Sequence, residues 1–420
     1  MTGTRAADPV RPNRGLRYLV SASAISNLGD GLHLVAFPLL GATLTRDPLI
    51  ISALAGVGLV PHLLLALVAG GLVDRLDRGR LMVVADVVRA ALLLLLLVAL
   101  TSGSLRIWHL FVLAASLGVC ELLFDLASPA YLPSIVERGD LVRANSLLAT
   151  VAEFGNGVLG PAIGGLVFAV AAGLPFLVNC LSFLVSAALV ARIAWRPRIA
   201  HSETPATATP IPPKRSFAGD IADGIRWIAA HRALRPLAAL IFAWNLLGWL
   251  PEGPFVLYAT QELHLGSLGF GLLFAATSVG AVIGGLLCNR IVAAIGTVGV
   301  LHLAVVTYAL LTVPPAFLHS PIAVGIVLFV QGVPLIAWSV VSATIQQILV
   351  PHELRGRVGS VFALVGAGIA PLGLFLGGVL GQWLGLRAVF VVSGVTLLIA
   401  YVVCLPGLRR LATAVRDKLD

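Results

Sequence analysis

The sequence predicts an all-α membrane protein of twelve transmembrane helices in two groups of six. Three observations carry this. Hydrophobic residues make up 59% of the 420 and charged residues 11%, against about 45–50% and about 25% in a soluble domain. Apolar runs of bilayer-spanning length, about 20 residues each, recur along the whole chain. Basic residues gather on alternate connections between those runs, as the positive-inside rule requires. Because the apolar excess is everywhere, the composition excludes a soluble enzyme, a disordered chain, a fibrous repeat and an enzyme on a single anchor.

Residues 1–16 read as a short basic cytoplasmic tail with Arg5, Arg11 and Arg14. The first apolar run, 17–42, is too long for a signal-peptide core and has no small-residue cleavage site, so it is a retained helix. The runs that follow are 49–72, 80–102, 107–128, 144–170, 174–195, 236–260, 267–290, 297–318, 321–347, 357–382 and 386–406. They form bundles over 17–195 and 236–406, separated by a linker at 196–235 and followed by a tail at 407–420. Gly and Pro interrupt several runs, which membrane helices tolerate where neighbours or cavity water satisfy the freed backbone.

The N-terminal side of the first span, the even-to-odd connections and the C-terminal tail carry 24 of the 28 Arg and Lys. The opposite connections carry Arg46, Arg106 and Arg387, and Arg89 lies inside a span. Both termini are therefore expected on the cytoplasmic side of the cell membrane. The net charge of +9 is explained by this asymmetry and gives no reason to expect a nucleic-acid partner. The linker opens with a flexible Pro/Thr/Ala stretch, 204–213. Phe217, Ile221, Ile225 and Ile228 then recur at helical spacing among Asp220, Asp223 and Arg226, which predicts an amphipathic helix at the cytoplasmic surface.

An ionised group inside a bilayer is costly, so acids there usually face a cavity or a partner. Six of the 19 acids fall within spans: Asp30, Asp86, Glu121, Asp125, Glu153 and Glu252. Asp30 lies 13 residues into the first span, about 20 Å at 1.5 Å per residue, near the midplane. Ser23, Ser26, Asp30, His33 and Phe37 share one face of that helix, and Asn27 adjoins it. Two roles fit Asp30: a proton- or substrate-coupling carboxyl, or a permanently paired acid that holds helices together. Glu121 and Asp125 are one turn apart on the fourth span, where they could share a proton or pair with the loop arginines Arg138 and Arg143. Asp86 and Arg89 are spaced i,i+3 and read as a structural ion pair. Glu153 precedes the Gly-rich turns of the fifth span and is a second proton-site candidate. Glu252 sits in Leu250-Pro-Glu-Gly-Pro254, where two prolines and a glycine predict unwinding, and suits a cavity or an outer gate equally.

Substrate-wall candidates are Ser26, Asn27, His33, Phe37, Trp244, Asn245, Trp249, Gln331 and Trp338, with Tyr258 and Gln346 beside them. Aromatics bind planar or cationic apolar molecules well; helix packing or an interfacial position fits each of these aromatics too. Cys120, Cys180, Cys288 and Cys404 lie singly in apolar runs and read as small buried hydrophobes. The chain has no GxxxxGK[ST] phosphate loop and no HExxH or GxSxG motif. No ATP-driven pump, intramembrane hydrolase, metal centre or cofactor is expected.

Several segments resemble one family. Gly70-Gly-Leu-Val-Asp74-Arg75-Leu-Asp77-Arg78-Gly79-Arg80 resembles the loop 2–3 signature of the major facilitator superfamily. Gly160-Pro161-Ala-Ile-Gly164-Gly165 resembles the Gly-Pro motif of its proton-antiporter branch, with Asn156 where a further Gly is usual. Ser26-Asn27-Leu-Gly29-Asp30 in the first span and Arg355-Gly356-Arg357-Val358 before the eleventh complete the likeness to twelve-span drug and siderophore exporters. The layout likeness covers nearly the whole chain. It implies a major facilitator fold and a secondary active transporter that works by alternating access. The exporter would move small amphiphilic molecules against protons, as a monomer in the lipid membrane. It also implies a cytoplasmic gate in which Asp74 rests on the positive N-terminal end of the eleventh span, with Arg75, Arg78, Arg80, Arg355 and Arg357 around it. In the second half Cys288 stands at the acid position of the corresponding motif. Two other readings stay open: a proton symporter importing a sugar or metabolite, and a non-transporting receptor or assembly partner.

Overall fold

A computed structural model describes residues 14–195 and 217–419. It is helical throughout and has no strands among the described residues. The helices are α1 (Arg14–Leu44), α2 (Pro48–Arg75), α3 (Arg78–Thr101), α4 (Ile107–Tyr131), α5 (Leu141–Glu153), α6 (Gly160–Val170), α7 (Leu174–Ala194), α8 (Phe217–Ala230), α9 (Leu234–Glu252), α10 (Phe255–Leu257), α11 (Ser267–Thr312), α12 (Pro321–Leu349), α13 (Arg355–Gly366), α14 (Ala370–Leu384) and α15 (Leu386–Leu419).

Ten described segments are long and apolar enough to cross a membrane. The segment Ser267–Ala316 holds two spans. At Gly296 the backbone has φ 74° and ψ 165°, a conformation that glycine adopts without steric cost, so the continuous turn breaks there. Helix α1 is polar along one side and supplies the remaining span. The fold is the all-α, twelve-helix one that the hydropathy predicts.

Two spans are built from pieces. Between α5 and α6 the chain makes a π-helical stretch, Phe154–Leu159, a widened turn of a kind frequent at functional sites. Helices α13 and α14 are joined by a 3₁₀ turn, Ala367–Ile369. Helix α15 runs on through the predicted tail to Leu419, with Leu408, Leu411 and Val415 buried.

The described residues divide into two compact units. The first takes in α1 up to Ala36, Leu64–Leu105, and the chain from Ser116 to the end of α7. Leu19, Ala22, Met82, Phe124, Leu132 and Val190 form part of its core. Helices α3 and α7 touch where the Cys180 thiol donates to the Ala90 carbonyl at 3.3 Å. The second unit takes in Phe37–Leu63, Arg106–Ala115 and α8 to α15. Its core runs through Leu234, Leu237, Leu240, Leu301, Val305, Val389 and Leu397. Within it the start of α2 lies against α14 and the end of α9. A Cβ on Gly378 would sit 2.9 Å from Leu49 Cα, and one on Gly253 would sit 2.6 Å from Ser52 Oγ. Leu64, Val68, Leu95, Leu286, Ile322 and Val403 are each more than 60% exposed. So large an apolar surface suits lipid, not water.

Candidate functional site

The site in the first unit is built around Arg89 of α3. Its guanidinium is 3% exposed and approaches two carboxylates, Asp86 Oδ1 at 3.7 Å and Asp30 Oδ2 at 4.0 Å. Asp86 is completely buried, whereas the Asp30 side chain is 27% exposed. Phe124 and Phe183 face the guanidinium carbon, with ring centroids at 5.4 and 5.0 Å, within cation–π range. Four acids act electrostatically on Arg89: Asp30, Glu121, Asp86 and Asp125.

Two details make this arrangement adjustable. Arg89 Nη2 is buried without a hydrogen-bond partner among the described residues, and the buried Asp86 carboxylate has the Ser186 hydroxyl beside it but no close contact of good hydrogen-bond geometry, whereas buried polar groups are normally satisfied. The pairings exceed hydrogen-bond length, so Arg89 sits between two carboxylates and is locked to neither. Arginine does not lose its proton in proteins. Any change of protonation therefore falls on the carboxyl groups. Asp86 and Arg89, read from sequence as a structural ion pair, do approach each other, and Arg89 also approaches Asp30. The i,i+3 spacing revealed the first contact, and no sequence signal revealed the second.

Asp30 is held by the glycines around it. A Cβ on Gly31 would lie 2.7 Å from Gly155 O and 2.8 Å from Gly160 Cα, and one on Gly164 would lie 2.8 Å from Leu32 O. Helices α1 and α6 thus meet backbone to backbone beside Asp30. Pro161 and Gly165 are buried in the same helix. Ser26 is also buried. Asn27 Nδ2 donates to Ser23 O at 2.7 Å, within its own helix. His33 stands edge-on to Phe176 with centroids 5.7 Å apart, and Phe37 is buried.

The second unit contains a cavity of about 470 Å³ bounded by α9, α12 and α13. Trp244, Asn245, Trp338, Ser339, Ser342, Gln346, Gly359 and Phe362 are among its walls, and none of the described lining residues is ionisable. Trp244 stacks on Trp338 (centroids 4.5 Å, 14°) and packs tilted against Tyr308 (4.3 Å, 33°). Asn245 Nδ2 donates to Ile241 O at 2.9 Å and Ser342 Oγ to Ser339 O at 3.1 Å. Asn245 Oδ1 and the Gln346 carboxamide form no hydrogen bond among the described residues. Pockets of roughly 300–1,000 Å³ hold small molecules.

A twelve-span helical frame, a charged cluster in one unit and an uncharged aromatic pocket in the other describe a transporter better than an enzyme. Comparison with known proteins decides the family. The profile of a family described as "transmembrane secretion effector" matches residues 6–415. The chain belongs to the major facilitator superfamily. The multidrug efflux pump Tap of Mycobacterium tuberculosis (strain ATCC 25618 / H37Rv) is 29% identical over 423 residues, covering 97% of each chain. The uncharacterized MFS-type transporter YfiS of Bacillus subtilis (strain 168) is 27% identical over 417 residues, covering 94% of each. A bacterial homologue of the iron transporter ferroportin, solved in an inward-facing state, superposes with a TM-score of 0.70 at 20% identity, covering 95% of this chain and 99% of that one. A bacterial homologue of the lysosomal transporter Spinster gives 0.68 at 14% identity, covering 97% and 99%. These two likenesses concern the fold. The chain is a multi-pass secondary transporter of the major facilitator type, and its relatives are transporters, not enzymes.

The superfamily's loop 2–3 residues are placed as follows. Asp77 caps α3, its Oδ1 accepting from Arg80 N at 3.0 Å. Arg78 Nη1 donates to Ala130 O at 2.7 Å, at the end of α4. Gly70 and Arg75 lie on the exposed side of α2 or near it. The side chain of Asp74 lies outside the described residues. Arg355 Nη2 donates to Gln347 O at 3.0 Å near the C-terminal end of α12, and Arg357 approaches Asp223 of α8 at 4.0 Å.

Four candidates belong neither to the Arg89 cluster nor to the described lining of the cavity. Glu153 is exposed at the edge of the π turn. Glu252 ends α9, exposed, just before the non-helical break, and acts electrostatically on Tyr308, which packs against Trp244. Gln331 Nε2 donates to the Thr312 hydroxyl at 2.7 Å, a buried link between α12 and α11, and does not line the cavity. Trp249 packs against the α14 backbone, where a Cβ on Gly373 would sit 2.7 Å from Trp249 Cβ. Ser339 and Ser342 line the cavity and were missed, because single serines on an apolar helix carry no signal of the face they occupy.

Proposed function

We propose that this transporter exports small amphiphilic molecules, drug-like compounds or siderophores, in exchange for protons by alternating access. The sharing of Arg89 between a half-open Asp30 and a sealed Asp86 is the observation that carries the proposal. A proton on Asp30 cancels its attraction for the guanidinium, which then has Asp86 as its near partner. Loss of that proton restores the contest. Protonation thereby becomes a displacement of a charged side chain between helices α1 and α3, a local event able to bias a two-state element. Glu121 and Asp125 extend the same cluster, and Glu153 and Glu252 are further proton sites to be tested. The substrate is held in the aromatic cavity of the second unit. Relatives named as multidrug efflux pumps support the direction of transport. The strong excess of basic residues on alternate connections supports cytoplasmic termini in the cell membrane.

The energetics are adequate. One proton returning down about 100 mV supplies roughly 2.3 kcal/mol. At about 1.4 kcal/mol per factor of ten, this sustains a gradient of roughly fiftyfold for a neutral solute.

The test uses inside-out vesicles with an acidic interior and a pH-sensitive dye, challenged with macrolides, dyes, biocides and siderophores. Compound-dependent proton release that disappears in Asp30→Asn is the expected result. Uptake of compounds with no proton movement, or proton release intact in Asp30→Asn, would sink the antiport mechanism.

A further inference from the structure

We infer that the cavity between α9, α12 and α13 selects uncharged planar aromatic molecules bearing an amide or carbonyl group, and excludes permanent cations of the same shape. The inference rests on the export reading and names the substrate class of its binding site.

Three observations carry it. The first is the stack of Tyr308, Trp244 and Trp338, whose two ring separations are 4.3 and 4.5 Å. Trp244 and Trp338 are 6% and 5% exposed, so the wall is fixed by its own packing, and a flat ligand extends an existing stack. The second is the pair of open amide groups. Gln346 offers a donor and an acceptor, and Asn245 an acceptor, with no partner among the described residues. A ligand group with both an N–H and a C=O satisfies them, whereas an alkyl edge leaves them unpaired.

The third observation is the placement of charge. None of the described lining residues is an acid. Glu252 stands on α9 one turn beyond Gly248, against which the Tyr308 hydroxyl lies, and acts electrostatically on that hydroxyl from behind the ring stack; it is not among the described residues that line the cavity. Asp223 already faces Arg226 at 2.7 Å and Arg357 at 4.0 Å. The charges nearest along α13 are those of Arg355 and Arg357, both positive. A permanent cation entering the cavity loses hydration and meets no counter-charge among the described lining residues. Attraction to ring faces offsets part of that loss, but Trp244 already packs against two rings.

The test is equilibrium binding to the purified full chain in detergent, by scintillation proximity. Tritiated acridone, a flat neutral tricycle with N–H and C=O groups, competes against two unlabelled tricycles that lack both groups, N-methylacridinium, which is permanently charged, and acridine, which is neutral at alkaline pH. Acridone is expected to bind, acridine to compete more weakly than unlabelled acridone, and the cation to compete at least tenfold more weakly than acridine. Gln346→Leu and Trp338→Ala are each expected to weaken acridone at least tenfold. Gln346 is only partly buried, so its variant keeps the test valid if Trp338→Ala does not fold. Equal or tighter binding of the cation relative to acridine, no acridone binding, or wild-type acridone affinity in Gln346→Leu would each overturn the inference. No proton gradient enters this measurement. Proton-coupled movement of other compounds without acridone binding therefore overturns this inference alone, and acridone binding without proton movement overturns proton antiport alone.

Discussion

Replacing Arg89 by glutamine removes one cation from between two carboxylates. The separations of 3.7 and 4.0 Å correspond to a gross attraction of about 4 kcal/mol each at an effective dielectric constant near 20. Relief from burying the guanidinium offsets much of this. Stranding a buried carboxylate by removing its partner typically costs about 3–5 kcal/mol, and Asp86, completely buried, is the group stranded. The decisive comparison is with Asp86→Asn/Arg89→Gln, in which neither charge remains. The pair is in contact, so the two changes should not add. The double variant is expected to recover about 2–3 kcal/mol of the loss seen in Arg89→Gln. Thermal unfolding in detergent can be followed with a thiol-reactive fluorogenic dye, because Cys120, Cys180 and Cys288 are buried. Arg89→Gln should melt roughly 5 °C or more below the wild type, and the double variant should return part of the way. An unchanged melting temperature in Arg89→Gln would refute the reasoning, as would a double variant less stable than either single one.

Two further outcomes follow from close helix contacts. Gly160→Ala places a methyl group on the Gly31 backbone, so it is expected to cost about 1–3 kcal/mol by overpacking and to slow transport by shifting Asp30, both measurable by the same melt and by vesicle flux. Gly224→Ala puts a Cβ 2.7 Å from Arg357 O and 2.9 Å from Val361 Cγ2; α8 should lift from α13, seen as faster amide exchange over 222–230 with the membrane spans unchanged.

The membrane class and the spans were legible in the sequence because the bilayer constrains them locally. Each span must be apolar over about 20 residues, and an interruption such as Gly296 is visible where it occurs. Asp30 could be singled out by the same local argument, since an acid in an apolar run needs a reason. The Gly-Pro segment could be recognised, although what it touches could not be. Helix rotation and the choice of neighbour lie beyond local hydropathy. Asp30 and Arg89 are 59 residues apart in the chain, and only the approach of α1 to α3 makes them partners. Gln331 and Trp338 occupy one helix two turns apart and look alike as wall candidates. Tertiary packing turns the first to Thr312 and gives the second to the cavity. The sequence alone determined that this protein lives in the membrane, how many times it crosses, and which acids are expensive there. The tertiary structure decided which cation those acids share and where an uncharged pocket opens. Burial costs accrue residue by residue along the chain, whereas ion pairs and cavities exist only between helices.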